Sequence, residues 1–165
     1  MGKLYTIMET SWGYSVAVWS ESGLWELGFP KNDVEKAMAD IRTANITETT
    51  DHPLEQQLTQ QLKSYFKGFP ITFDVPIDWS GYTPFQAAVL RYTNEIGYGE
   101  VETYGQVAHN ISHPKASRAV GGALHINRTP VVVPCHRVIG SNGSLTGFGG
   151  GLDMKAALLL LEKNQ

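Results

Sequence analysis

Cys135 is the only cysteine in the 165 residues, and His136 and Arg137 follow it directly. A lone cysteine can neither close an internal disulfide nor supply the paired thiolates of a structural zinc site. It is therefore either an inert core residue or a reactive thiol. It ends the run Val131 to Cys135, VVVPC, which reads as a short apolar strand stopped by proline, and a cysteine at the end of a buried strand is often inert. Its neighbours argue for reactivity. An imidazole and a guanidinium beside a thiol stabilise the thiolate and lower its pKa, and the thiolate is the attacking form.

The elements that must position this group are legible from capping and periodicity. Thr83-Pro84-Phe85-Gln86 combines an N-cap threonine, a proline at the first helical position and a capping-box glutamine. Phe85, Val89, Tyr92 and Ile96 then form the buried stripe of that helix. Thr103-Tyr104-Gly105-Gln106 repeats the start signal and opens a short helix to about Asn110. A third helix is expected from Pro114, PKASRAVGGAL, after the turn Ile111-Ser112-His113. Two short helices joined this way have the size of a helix-turn-helix, although an ordinary helical hairpin has the same shape. Gly121-Gly122 inside the third helix costs about 1 kcal/mol per glycine relative to alanine, which close approach of another backbone, protein or nucleic acid, would offset.

The N-terminal half reads differently. Lys3 to Met8, Ser15 to Trp19 and Leu24 to Phe29 are expected as a small antiparallel meander, with turns at Trp12-Gly13 and Ser22-Gly23. Helices are expected over Asp33 to Thr43 and Pro53 to Lys67, the second with Leu58, Leu62 and Tyr65 on one face. Ile71 to Ser80 is extended and proline-interrupted, and a division into domains 1–82 and 83–165 follows from the change in composition after it. The fold class expected is α+β: a small N-terminal antiparallel sheet with helices, then a mostly helical C-terminal domain.

Charge separates the halves as well. Residues 1–83 hold six Lys and Arg against eleven Asp and Glu, net −5, whereas residues 84–165 hold seven against five, net +2. Thr103 to Leu152 contains no acid, but it does contain Lys115, Arg118, Arg128, Arg137 and four histidines. A polyanion could dock on such a stretch.

The residues around the thiol carry a specific likeness. Pro134-Cys135-His136-Arg137-Val138 resembles the active-site motif of the O6-alkylguanine-DNA alkyltransferases, the methylated-DNA:protein-cysteine methyltransferases. The resemblance extends through Thr103 to Ala108, Pro114 to Ala123, Asn127, Gly147-Phe148, Gly150-Gly151-Leu152 and Lys155, covering essentially residues 84–162. It implies an RNase H-like ribbon for the first domain and a winged helix-turn-helix in the second.

The resemblance also implies roles. Arg118 would enter double-stranded DNA from the minor groove and fill the space of a flipped O6-alkylguanine, while Tyr104 presses on the phosphate. Lys115, Ser117, Ala119, Gly121, Gly122, Ala123, Arg128 and Arg137 would line the DNA. In the pocket, Tyr104 would protonate N3, the carbonyls of Cys135 and Val138 would accept from the exocyclic amine, and the Gly149 amide would donate to O6. Phe148 and Leu124 would form apolar walls, and Asn127 would brace the turn before the thiol. Activation would run from Cys135 through a water to His136 and on to Glu162. The product is S-alkylcysteine, formed once per molecule with no cofactor.

This sequence departs from the family pattern at Arg128, where many members have proline, at Phe148 for a common tyrosine, and at Leu90 for tryptophan. Some members bind zinc through N-terminal cysteines. Residues 1–83 have none and only His52, so no metal is expected. With no signal-like or membrane-spanning segment, a cytoplasmic monomer is expected, nuclear if the source is eukaryotic. Three rivals remain: a lesion-binding relative that lacks repair chemistry, a helix-turn-helix regulator, and a Cys-His hydrolase. The first usually carries tryptophan at the cysteine position, the second needs a dimerisation element, and the third would turn over an activated ester without DNA.

Overall fold

The computed structural model describes residues 2–144 and 151–163. The chain divides into two compact units, Met1–Trp79 and Ser80–Gln165. The division falls three residues before the expected Thr83, because Arg128 donates to the Ser80 carbonyl at 2.8 Å and the Tyr82 hydroxyl accepts the Arg128 amide at 3.0 Å.

Unit 1 is built on β1 (Lys3–Thr10), β2 (Gly13–Ser20) and β3 (Gly23–Leu27), followed by α1 (Val34–Ala39), β4 (Ile46–Glu48) and α2 (Glu55–Phe66). The sheet order is β3-β2-β1-β4. The three expected strands pair antiparallel, from Leu4 opposite Trp19 to Thr10 opposite Gly13. A fourth strand corrects the antiparallel expectation. β4 pairs parallel with β1, Lys3 opposite Ile46, so the sheet is mixed. Three residues are too few to show a period of two, which is why the sequence pattern is silent on this strand.

Val16 and Val18 pack with Ala37 of α1 on one face of β2, and Ala17 and Trp19 are buried on the other. A central strand buried on both faces must be apolar almost continuously, as SVAVW is. Helix α1 stops well short of the expected Thr43. The Glu26 carboxylate takes the Arg42 and Thr43 amides at 2.9 and 3.1 Å, which removes them from any helical ladder.

Unit 2 contains α3 (Pro84–Thr93), β5 (Glu102–Thr103), α4 (Tyr104–Asn110), α5 (Ser117–His125), a 3₁₀ turn at Cys135–Arg137, β6 (Val138–Ile139) and α6 (Leu152–Lys163). Both expected capping boxes form, Thr83 with Gln86 and Thr103 with Gln106. Helix α5 starts at Ser117, not Pro114. Its N-cap is Ala116, which offers no side-chain acceptor, and Pro114 and Lys115 lie in the preceding turn. Val89, Leu90, Val107, Ala108, Val120, Leu124 and Leu158 make the core.

The run VVVPC is not a strand. Val131 to Val133 are buried without ladder partners beyond an isolated Pro130–Val133 bridge, and Val131 sits at φ 73°. Apolarity here reflects burial, not pairing. A β-branched residue in the left-handed region costs on the order of 1–3 kcal/mol, which the surrounding packing must hold in place. The strand lies just beyond the 3₁₀ turn, with Val138 opposite Glu102 and Ile139 opposite Thr103 in parallel.

The capping boxes give a stability test. Thr83→Ala removes the acceptor for the Gln86 amide, at 3.2 Å, and should lower unfolding stability by about 1 kcal/mol in a urea titration. No shift in the midpoint would mean the cap contributes nothing.

Candidate functional site

The site forms where the 3₁₀ turn, α6 and the loop after α5 meet. Helix α6 explains two of its members by spacing alone. Lys155, Leu158 and Glu162, at i, i+3 and i+7, are its buried residues, so an ammonium and a carboxylate lie on the stripe where apolar groups belong. That pattern was the available signal for Lys155, whose role sequence reasoning missed.

Glu162 is 3% exposed, and its carboxylate is fully engaged. Oε2 lies 2.6 Å from His136 Nε2 and accepts from Arg137 Nη2 at 3.0 Å. Oε1 accepts from Arg137 Nε at 2.9 Å and from the Gly99 amide at 3.1 Å. Arg137 Nη1 donates to the Ile96 carbonyl at 2.6 Å. Arg137, expected on the DNA, is instead buried beside the acid and serves the interior.

Asn127 bridges the loop that delivers the thiol. Its Nδ2 donates to the Val133 carbonyl at 3.0 Å while its Oδ1 accepts the Thr129 amide at 3.0 Å. Lys155 Nζ, on a residue 1% exposed, donates to the Val138 carbonyl at 2.7 Å and to the Tyr104 hydroxyl at 3.5 Å. The Val138 amide donates to the Cys135 carbonyl. Both carbonyls expected to meet a base's amine therefore already accept an internal donor, each with a second lone pair remaining.

Electrostatics correct the expected activation. Burial pushes the Cys135 thiol up to about 11, outweighing a hydrogen bond from Asn127 and the Lys155 charge, both of which favour the thiolate. Burial also pushes His136 below its ordinary value. Glu162 opposes that shift, whereas Arg137 and Lys155 reinforce it. Burial thus disfavours the charged form of the neighbouring ring, and the neighbouring guanidinium faces Glu162, so neither presents the thiol with a favoured adjoining cation. A neutral imidazole donating from Nε2 to a carboxylate keeps its basic lone pair on Nδ1.

The remaining expected residues divide between surface and core. Lys115, Arg118, Ala119 and Gly122 are exposed, and Ser117, Gly121 and Tyr104 are half-buried. Ala123, expected on the DNA, is 2% exposed and belongs to the core beside Leu124, since it faces inward from α5. A methyl on Gly121 would touch the Tyr104 ring at 3.8 Å, and one on Gly122 would meet nothing within 4 Å. Among the described residues, none closes on that side of Gly122. The half-buried Arg128 guanidinium lies 4.1 Å from the centre of the Tyr82 ring. Phe148 and Gly149 lie outside the described residues. Among the described residues, no cluster of three or more His, Cys, Asp or Glu could hold a metal ion.

Comparison with known proteins places both units. Residues 84–164 match the 6-O-methylguanine DNA methyltransferase DNA-binding domain, and residues 3–79 match the ribonuclease-like domain of the same family. A methylated-DNA–protein-cysteine methyltransferase of Methanosarcina acetivorans is 42% identical over 158 residues, covering 96% of this chain and 97% of that one. One from Methanosarcina barkeri is 39% identical over 160 residues, covering 97% of each. Among solved structures, the Mycobacterium tuberculosis OGT in complex with DNA superimposes with a TM-score of 0.82 at 36% identity, covering 97% of this chain and 92% of that one.

The raised thiol makes a direct prediction. Alkylation of Cys135 in the DNA-free protein by iodoacetamide should be slow at neutral pH and climb roughly tenfold per pH unit without levelling off near 8.5, where an ordinary thiol saturates. A plateau near pH 8.5 would show that burial does not control the thiol.

Proposed function

Because the chain belongs to the 6-O-methylguanine DNA methyltransferase family through both of its units, we propose that it repairs DNA by moving the alkyl group of O6-alkylguanine onto Cys135. The observation that carries this reading is a buried cysteine whose next residue, His136, is fixed 2.6 Å from a buried Glu162. That is the arrangement of a thiol whose proton leaves only as it attacks.

The step balances with the residues present and the substrate. The thiol proton passes through a water to His136 while Sγ forms a bond to the alkyl carbon and the carbon–O6 bond breaks. The released electron pair stays on the guanine, which takes a proton at N3 from the Tyr104 hydroxyl. Lys155 Nζ, 3.5 Å from that hydroxyl, stabilises the resulting oxygen anion. The products are S-alkylcysteine and restored guanine. A thioether does not hydrolyse, so each molecule acts once.

The lesion has to leave the duplex to reach a thiol that is 6% exposed. Exposed Arg118 at the start of α5 is the residue placed to fill the vacated stack, entering through the minor groove. Lys115 and Ser117 flank it as phosphate contacts. Gly122, whose added methyl would meet none of the described residues within 4 Å, supports close approach of a nucleic-acid backbone there. Asn127 and Leu124 shape the pocket, with Phe148 and Gly149 as its expected remaining contacts. The protein acts as a monomer, and unit 1 serves a structural role.

Two measurements test this. Intact mass after incubation with excess duplex carrying one O6-methylguanine should rise by one methyl group, mapped to Cys135, with no further turnover, and Cys135→Ala should bind but gain nothing. An unchanged mass beside tight lesion binding would make the protein a damage-recognition module. Gly122→Ala should stabilise α5 by about 1 kcal/mol, since the methyl meets no atom of the described residues within 4 Å, yet weaken duplex binding. Unaltered DNA affinity would take α5's glycine face off the DNA.

A further inference from the structure

Arg137 is the basic residue that the DNA face does not use. Its guanidinium closes on both oxygens of Glu162, Nε to Oε1 at 2.9 Å and Nη2 to Oε2 at 3.0 Å, while Nη1 holds the Ile96 carbonyl at 2.6 Å. A two-pronged fork of this kind fixes both the position and the plane of the carboxylate. It leaves Oε2 aimed at His136 Nε2, 2.6 Å away. We propose that Arg137 is a positioning residue for alkyl transfer, holding Glu162 in place and supplying the charge that keeps His136 a neutral base.

The argument is one of charge in a closed space. Glu162, His136 and Arg137 are all buried. With the guanidinium present the carboxylate is compensated, and the imidazole need only donate Nε2–H. Without it, a buried carboxylate would face the imidazole alone, and a buried uncompensated charge is strongly destabilised. The ring would then take up a proton from solvent to complete the pair. An imidazolium has donors on both nitrogens and no lone pair to receive the thiol's proton.

The other charged groups around the ring do not replace Arg137. Lys155 of α6 is, besides Arg137, a buried cation near the ring, but its ammonium is directed to the Val138 carbonyl and Tyr104. Asp153 and Lys163 of α6 are exposed. Helix α3, which also packs against the 3₁₀ turn, buries Val89, Leu90 and Thr93, none of which titrates. Tyr98, whose ring centre is 5.7 Å from the guanidinium, lies on Arg137's side of the network. The downward shift of His136 agrees with this: burial is its largest cause, and Arg137 adds to it against the pull of Glu162.

The inference rests on His136 taking the thiol's proton, and the experiment separates the two claims. The rate of methyl transfer to Cys135 from an O6-methylguanine duplex is followed from about pH 5 to about pH 9. In Arg137→Met, a raised His136 pKa means less neutral base at low pH. The acid limb should therefore move up by about one pH unit or more, with the deficit largest in acid and shrinking as pH rises. Arg137→Lys should hold the limb near its original place. Arg137→Met combined with Glu162→Gln should return it there at a lower plateau, since both charges are gone. An equal loss at every pH in Arg137→Met would reduce Arg137 to a structural strut and overturn the proposal. If that variant does not fold, nitrogen NMR of the His136 ring in the unmodified protein decides. A neutral ring protonated on Nε2 at neutral pH supports the proposal, and an imidazolium overturns it. Unmodified protein that transfers no methyl group at any pH refutes the parent reading instead.

Discussion

A carboxylate withdrawn from water is stable only if its charge and its lone pairs are met, and Glu162 meets both conditions through segments distant in sequence. The Gly99 amide, the Arg137 fork and the His136 ring converge on it from the turn after α3 and from the 3₁₀ turn after the Asn127 loop. Breaking any one of these contacts leaves a buried polar group unsatisfied, and such groups cost more than the bond that satisfied them gains. The network therefore specifies one arrangement of α6 against the thiol turn. That arrangement puts Lys155, seven residues earlier on the same stripe, under the Val138 carbonyl and Tyr104. Placement of His136, Glu162, Lys155 and Tyr104 relative to one another follows from a single helix register.

Burial gives this site two properties that oppose each other. A thiol pushed up to about 11 is protonated at neutral pH and a poor target for stray electrophiles and oxidants. The same burial, reinforced by Arg137 and Lys155, pushes His136 below its ordinary value and so favours the neutral ring. Low dielectric thus suppresses the resting thiolate and favours the form of His136 that the proposed reaction needs as its base. Reactivity is tied to an alkyl carbon being present at Sγ, which suits a protein that is consumed by each transfer.

The acid-free stretch from Thr103 to Leu152 divides its cations by depth. Lys115 and Arg118 are exposed near the start of α5, beside small residues that leave the helix surface open. Arg137 is turned inward, onto an acid that lies beyond the stretch in sequence. Arg128 is held between the two conditions, half-buried over Tyr82 with one nitrogen on the Ser80 carbonyl. A basic composition locates a polyanion site only to within a segment. Which cations reach the ligand depends on which carboxylates and carbonyls the fold brings to them.

Much of the architecture was readable because it is local. The capping boxes at Thr83 and Thr103 and the antiparallel pairing of the first three strands rest on interactions spanning a few residues or on one strand's period. The Cys135–His136 pair at the centre of the candidate site was readable as well, since the two residues adjoin in the chain. What misled was apolarity without partners. VVVPC looks like a strand, and only packing shows it to be a strained buried loop. The parallel β4, the early end of α1 and the inward turn of Arg137 and Ala123 were equally hidden, because each depends on groups tens of residues away. The sequence by itself determined most of the elements, the lone cysteine with its neighbouring histidine, and the family. Tertiary structure decided the protonation states and the facing of each charge, because desolvation and long-range pairing exist only once the chain has closed around them.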